Sequence, residues 1–176
     1  MEKYKDKQDM KDPLIREVSE PSELHQVEEL AAEIWKEHYT PIIGAEQVEY
    51  MLDNFQSVEA MGGQIREGMT YCLVYSDRNP VGYLAFKEQD DELFLSKIYV
   101  LSDQRGKGIG KAAMEFVESR AKDQGKHFLS LTVNKNNRGS ITAYEKLGFV
   151  NQGPLETDIG GGFIMDDYLM IKVLRE

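Results

Sequence analysis

Gln104-Arg105-Gly106-Lys107-Gly108-Ile109-Gly110-Lys111 puts three glycines and three cations into eight residues, immediately before an apolar-periodic segment. Glycines let backbone N–H groups come close to a ligand, and a helix starting there adds free N–H groups and the positive end of its dipole. Arg105, Lys107 and Lys111 supply local positive charge in a chain whose net charge is −10. The combination suits a pyrophosphate; the plainer alternative is a tight strand-to-helix turn whose glycines only reverse the chain. Counting removes two familiar nucleotide motifs. A Walker A loop needs four residues between its first glycine and Gly-Lys-Ser/Thr, whereas three separate Gly106 from Gly110 and Lys111 is followed by Ala112. A GxGxxG fingerprint needs glycine where Lys111 stands.

The surrounding pattern must position that stretch. Residues 1–12 read as a solvated tail and residues 13–176 as one domain. A short strand over Leu14–Val18 precedes a helix with Ser22 as its cap, in which Leu24, Val27, Ala31, Ile34 and Trp35 share a face and which ends near His38. Val48, Met51, Leu52 and Phe55 mark a second helix after Gly44, and Val58, Met61 and Ile65 a third before Gly68. Three β-rich runs follow, Met69–Ser76, Val81–Glu88 and Glu92–Leu101, joined through Asp77–Pro80 and Gln89–Asp91. Beyond the glycine stretch, Ile109, Ala112, Ala113, Phe116 and Val117 predict a helix stopping at Gly125. A strand over His127–Val133, a helix capped near Asn137 and closed by Gly148, and two strands around Gly160–Gly162 complete the chain. The order is β-α-α-(α)-β-β-β-α-β-α-β-β. It predicts an α+β fold whose mostly antiparallel sheet contains one parallel βαβ crossover at the glycine stretch.

With those elements, the chain resembles the GNAT superfamily of N-acetyltransferases. Arg105, Gly108 and Gly110 match R/Q-x-x-G-x-G/A. Asn137, Tyr144, Lys146, Gly148 and Phe149 match N-x-x-A-x-x-x-Y-x-K-x-G-F, with Ser140 in place of the alanine. The resemblance implies the GNAT fold and acetyl-coenzyme A as co-substrate. It implies that Ile98, Tyr99 and Val100 offer backbone groups to the pantetheine arm along a splayed strand near Ser96–Tyr99. Gly106, Lys107, Gly108, Ile109, Gly110 and Lys111 would cradle the pyrophosphate with Arg105, and the Asn137 amide would contact the arm.

The chemistry then needs an acid and a base. Tyr144 stands where the family places the phenol that protonates the departing thiolate, and a reference pKa of about 10 keeps a phenol protonated at neutral pH. The acceptor ammonium must also lose a proton. Relatives carry glutamates where this chain has Ser96 and Thr132, so the base stays open, with Glu92, Glu37 and His38 as candidates through water. Tyr39, Glu37 and His38 lie where the family shapes its acceptor pocket. In the final hairpin, Asp166 and Asp167 either meet the acceptor or form a solvated strand edge.

Composition bounds the rest. The acidic balance argues against nucleic-acid and anionic-membrane surfaces, which need clustered cations. The N-terminus has no apolar h-region and no run reaches the ~18 residues of a membrane span, so a cytoplasmic location is expected. Cys72, the single cysteine, reads as a buried reduced thiol, and His25, His38 and His127 show no metal spacing. The expectation is direct acetyl transfer to a primary amine of a small molecule, in a possible homodimer. A protein amino group as acceptor, or a non-catalytic coenzyme A-sensing module, stands as the alternative.

Overall fold

The computed structural model describes residues 12–175; apart from Asp12, the tail expected over residues 1–12 lies outside them. Strand β1 (Leu14–Glu17) leads into α1 (Pro21–His38), the single turn α2 (Thr40–Ile43), α3 (Ala45–Phe55) and α4 (Val58–Arg66). The meander β2 (Met69–Ser76), β3 (Asn79–Glu88) and β4 (Glu92–Val100) follows, then α5 (Ile109–Asp123), β5 (Phe128–Asn134), α6 (Arg138–Lys146), β6 (Val150–Gly160) and β7 (Phe163–Val173). The α+β expectation and the element order hold, with two additions too short to show periodicity, α2 and a 3-10 turn at Ser102–Gln104.

The cap of α1 differs from the expected Ser22. Pro21, whose fixed φ suits the first helical position, moves the cap two residues earlier than Ser22, to Glu20. The Glu23 carboxylate turns back to accept the N–H groups of Ser19 and Glu20 at 2.7 and 2.9 Å. The β2–β3 turn is tighter than the sequence suggests, because Asp77 and Arg78 both take positive φ (50° and 67°) and the next strand starts at Asn79.

The seven strands form one sheet in the order β1-β2-β3-β4-β5-β7-β6. Every neighbouring pair is antiparallel except β4–β5, which α5 joins by the crossover that parallel strands require. Alternation along the strands divides the core in two. Cys72, Leu84, Leu95, Val117 and Leu131 pack on the α5 side. Val27, Trp35, Tyr71, Leu73 and Tyr83 pack on the side covered by α1, α3 and α4. Among the described residues no helix is long and apolar enough to cross a membrane.

The decisive irregularity lies in the middle of the sheet. Glu92–Leu95 pair with Phe128–Leu131, and there the β4–β5 ladder ends. Against β3, Leu95 pairs with Phe86 and Lys97 with Ala85, so Ser96 is an extra residue, a bulge that bends β4. Beyond it β3 still holds β4 to Val100, and β7 holds β5 to Asn134. Gly82 secures the first of these attachments: a Cβ there would stand 2.3 Å from the Tyr99 carbonyl oxygen. Two strands anchored on their outer edges and parted on their inner ones leave an open slot.

Candidate active site

A cavity of about 1240 Å³ runs from the glycine turn, through the slot, to a chamber beneath the N-terminal helices. That exceeds the ~300–1,000 Å³ of ordinary small-molecule sites, so it has room for an elongated ligand and a second one.

The glycine turn is built of backbone. Gly106 and Gly108 have φ of 76° and 80°, conformations that favour glycine. Gly108 takes the N-cap position of α5 without a side-chain cap, and the first backbone donor satisfied there is the Ala112 N–H, 3.0 Å from the Gly108 carbonyl. The N–H groups of residues 109–111 are therefore the unsatisfied donors of a helix start. Gly110 has no positive φ, and nothing lies within 4 Å of where its Cβ would be. The protein itself does not require glycine there; the space it leaves opens on the cavity. The turn thus fits a close-lying anionic group such as a pyrophosphate.

The residues named from the sequence divide. Ile98, Tyr99, Val100, Arg105, Gly106, Gly108, Gly110, Lys111, Asn137 and Tyr144 all line this one cavity. Ile98 and Val100 send their side chains into the α5-side core, leaving their backbone along the slot, and Arg105 Nε donates to the Val100 carbonyl at 3.2 Å. Lys107 and Ile109 stand apart. Lys107 is exposed and donates to Gln104 Oε1 at 3.3 Å, while the Ile109 side chain is 4% exposed inside the core.

Around the slot stand several ionisable side chains. Tyr144, on α6, packs edge-on against Phe149 at 5.7 Å, and burial, then the nearby Tyr39, pushes its phenol well above the ordinary range. The Tyr39 and Tyr99 hydroxyls share a hydrogen bond of 3.1 Å. Asn137 sits at the N-cap position of α6, but its side chain makes no cap bond. His38 lines the cavity; burial and then the Arg105 charge lower its pKa, while Asn137 and Glu37 oppose that. Of the other base candidates, Glu92 lines the cavity, whereas the Glu37 carboxylate accepts from Ser102 Oγ at 3.2 Å.

Three further groups emerge that the sequence did not single out as a set. Asp166 is exposed and paired with Lys135, but Asp167 is 5% exposed, lies opposite Asn134 and lines the cavity. Burial, reinforced by Asp166, raises its carboxyl to about 6, with Lys135 and Thr132 opposing. Alternation was the available signal, since adjacent residues of one strand must face opposite ways. Lys97 also lines the cavity; its Nζ donates to Ser96 Oγ at 2.9 Å, and burial pulls its pKa down to about 8. Ser130, 1% exposed, lines the cavity with an Oγ that has no partner. Among the described residues no group of three or more His, Cys, Asp or Glu side chains could hold a metal ion.

Residues 24–149 match the acetyltransferase (GNAT) family. An L-methionine sulfoximine/L-methionine sulfone acetyltransferase of Pseudomonas aeruginosa is 36% identical over 58 residues, 33% of this chain and 34% of that protein. The L-amino acid N-acyltransferase MnaT of Escherichia coli is 34% identical over 87 residues, 46% of this chain and 51% of that one. The chain thus matches between about a third and a half of the length of these relatives. In fold it is similar to the PaiA N-acetyltransferase of Thermoplasma acidophilum, whose crystal structure is a complex with coenzyme A. The TM-score is 0.77 over 92% of this chain and 99% of that one, at 24% identity.

Proposed function

The chain belongs to the acetyltransferase (GNAT) family, and from that premise we propose that it is an acetyl-coenzyme A-dependent N-acetyltransferase acting on the primary amine of a small molecule. One observation carries the reading: β4 and β5 part beyond Leu95 and Leu131, and the slot between them leads to the free N–H groups at the start of α5. An unpaired strand edge offers main-chain hydrogen bonds to an extended amide-bearing arm, and a helix start offers them to phosphate.

Acetyl-coenzyme A supplies an acetyl thioester to this slot. Residues 98–100 hold its arm through backbone groups, with the Asn137 amide alongside, and the Gly106–Lys111 backbone holds its pyrophosphate. Arg105 and Lys111 add charge. Tyr144 keeps its proton at neutral pH because burial disfavours the phenolate, and it delivers that proton to the departing sulfur. Such general-acid help is worth ~10²–10⁴-fold.

Asp167 supplies the base that the sequence left open. With a carboxyl near 6 it is mostly ionised at pH 7, yet basic enough to take a proton from an ammonium as the amine attacks. Transfer is direct, because Cys72 is buried in the α5-side core. The Pseudomonas relative, named for acetylating L-methionine sulfoximine and L-methionine sulfone, and the Escherichia relative, named an L-amino acid N-acyltransferase, support a small acceptor.

Thiol release from acetyl-coenzyme A, measured with amino acids, polyamines, aminoglycosides and peptides, tests the reading. Turnover with small amines is expected. Release with peptides alone moves the acceptor to a protein amino group, and coenzyme A binding without release to any amine overturns the reading in favour of a sensing module.

A further inference from the structure

The far end of the β6–β7 hairpin overhangs the sheet. β5 pairs with β7 as far as Asn134 opposite Asp167, and the Lys135 N–H adds one bond to the Asp166 carbonyl at 3.1 Å. Beyond that, residues 163–165 pair only with residues 157–160 of β6, the outer strand of the sheet. A two-stranded ribbon by itself is marginal in water, so something else must hold this one. Thr157, Ile159 and Met165 of the ribbon line the cavity, as do Gln47 and Met51 of α3.

What holds the ribbon is α3. The Tyr50 hydroxyl donates to the Ile159 carbonyl at 2.6 Å, and Gln47 Nε2 to the Ile164 carbonyl at 3.1 Å. Among the described residues these are the only hydrogen bonds from residues 157–165 to the rest of the protein. Ile159 is the extra residue of a bulge between Asp158 and Gly160, which leaves its carbonyl out of the ladder and available to Tyr50. The Tyr50 ring packs on Phe163 with centroids 5.1 Å apart. It also lies against the turn itself. A Cβ on Gly160 would stand 2.5 Å from the Tyr50 hydroxyl oxygen and one on Gly161 2.6 Å from its ring, whereas Gly162 has open space.

The other walls of the chamber are continuous: β3 holds β4 to Val100, and α1, α3 and α4 share one core. Once the arm of acetyl-coenzyme A fills the slot between β4 and β5, the acceptor needs another way in. Among the described residues the seam between α3 and the ribbon is crossed by side chains alone, with no backbone bond. We propose that Tyr50 is the latch of a lid: it holds the overhanging ribbon shut over the chamber, and its release admits the acceptor and lets the acetylated product leave. The lid rests on the acetyltransferase reading above and adds a moving part to it. Asp167 is paired with β5 and stays in place when the latch opens, so acceptor access is separated from the chemistry.

Hydrogen exchange of the full chain, followed peptide by peptide, tests the latch without turnover. Tyr50→Phe keeps the ring and removes one donor; Gln47→Leu removes the other. A hydrogen bond is worth a net factor of about 2–10, so each variant should speed exchange of the amides of residues 157–165 by about that factor and leave residues 168–173 unchanged. Thiol release, with the amine turned over best, should show the acceptor KM raised several-fold, because the closed form retains the acceptor. The same assay should show kcat unchanged or higher and the KM for acetyl-coenzyme A within about twofold. Unchanged ribbon exchange in Tyr50→Phe, or exchange speeded equally along all of β7, overturns the latch. So does a loss of kcat at an unchanged acceptor KM, which would make Tyr50 a prop for the catalytic groups. Should no amine be acetylated, the acetyltransferase reading falls and exchange alone decides the latch.

Discussion

The glycine turn and the chamber under the N-terminal helices belong to one cavity but are made of different material. At the turn the useful groups are backbone N–H donors of residues 109–111, and the side chains contribute mainly by being absent at Gly106, Gly108 and Gly110. In the chamber they are side chains, Lys97 from β4, Ser130 from β5, Asp167 from β7, and Tyr39 just past α1. A backbone cradle recognises what every reaction of a family shares, because any sequence that makes the turn makes the donors. A side-chain chamber sets what differs between members, because each of its groups can change without altering the fold.

The largest expected effect comes from the junction of the two regions. Tyr144→Phe should lower kcat by about 10²-fold or more while the KM for acetyl-coenzyme A stays within about twofold; steady-state thiol release measures both, and an unchanged kcat removes the phenol as the acid. On the chamber side, Asp167→Asn should lower kcat/KM by about 10²-fold at pH 7.5. The same variant has a signature in pH. The ionised base is lost as pH falls through about 6, so the wild-type profile should bend there and the variant's should not.

Stability supplies a separate check on Asp167. Its folded carboxyl holds a proton more tightly than the unfolded one, so stability falls as pH rises from the ordinary carboxylate range to about 6, and the penalty is fully present above that. Asp167→Asn should therefore raise Tm at pH 8 and not at pH 4, a contrast that calorimetry at the two values resolves.

Smaller effects separate the two materials. Gly110→Ala should raise the KM for acetyl-coenzyme A roughly tenfold, given the crowding of a cradle whose donors must lie close to the phosphate. It should leave Tm unchanged or higher, since alanine is preferred over glycine in a helix by ~0.5–1 kcal/mol and the fold leaves its Cβ unobstructed. Gly108→Ala should instead lower Tm, because its φ of 80° belongs to the turn itself. Equal losses of Tm in both would make the glycines structural. Smallest of all, Lys135→Met should move the acidic limb of the rate profile upward by a fraction of a unit, because Lys135 is one of the groups holding the Asp167 carboxyl down.

Most of the fold was legible because its elements announce themselves locally. The helical stripe Leu24–Trp35, the three β-rich runs and the glycine stops at Gly125 and Gly148 lie within a few residues of what they control. The cap at Glu20 and the start of β3 each shifted by two residues, through a backbone preference at Pro21 and at Asp77-Arg78.

The glycine turn was legible for the same reason: donors, glycines and cations follow one another along the chain, and counting positions is enough to relate them. The chamber was not. Whether Asp166 or Asp167 faces inward depends on the register of β7 against β5, and whether Lys97 reaches the cavity depends on a bulge at Ser96. Neither is encoded in the spacing of the residues themselves. Sequence alone determined the elements and the backbone cradle, where neighbours in chain are neighbours in space. Tertiary structure decided that Asp167, Lys97 and Ser130 line one cavity, because strand pairing brings together residues dozens of positions apart and a one-residue slip would turn each of them to the other face.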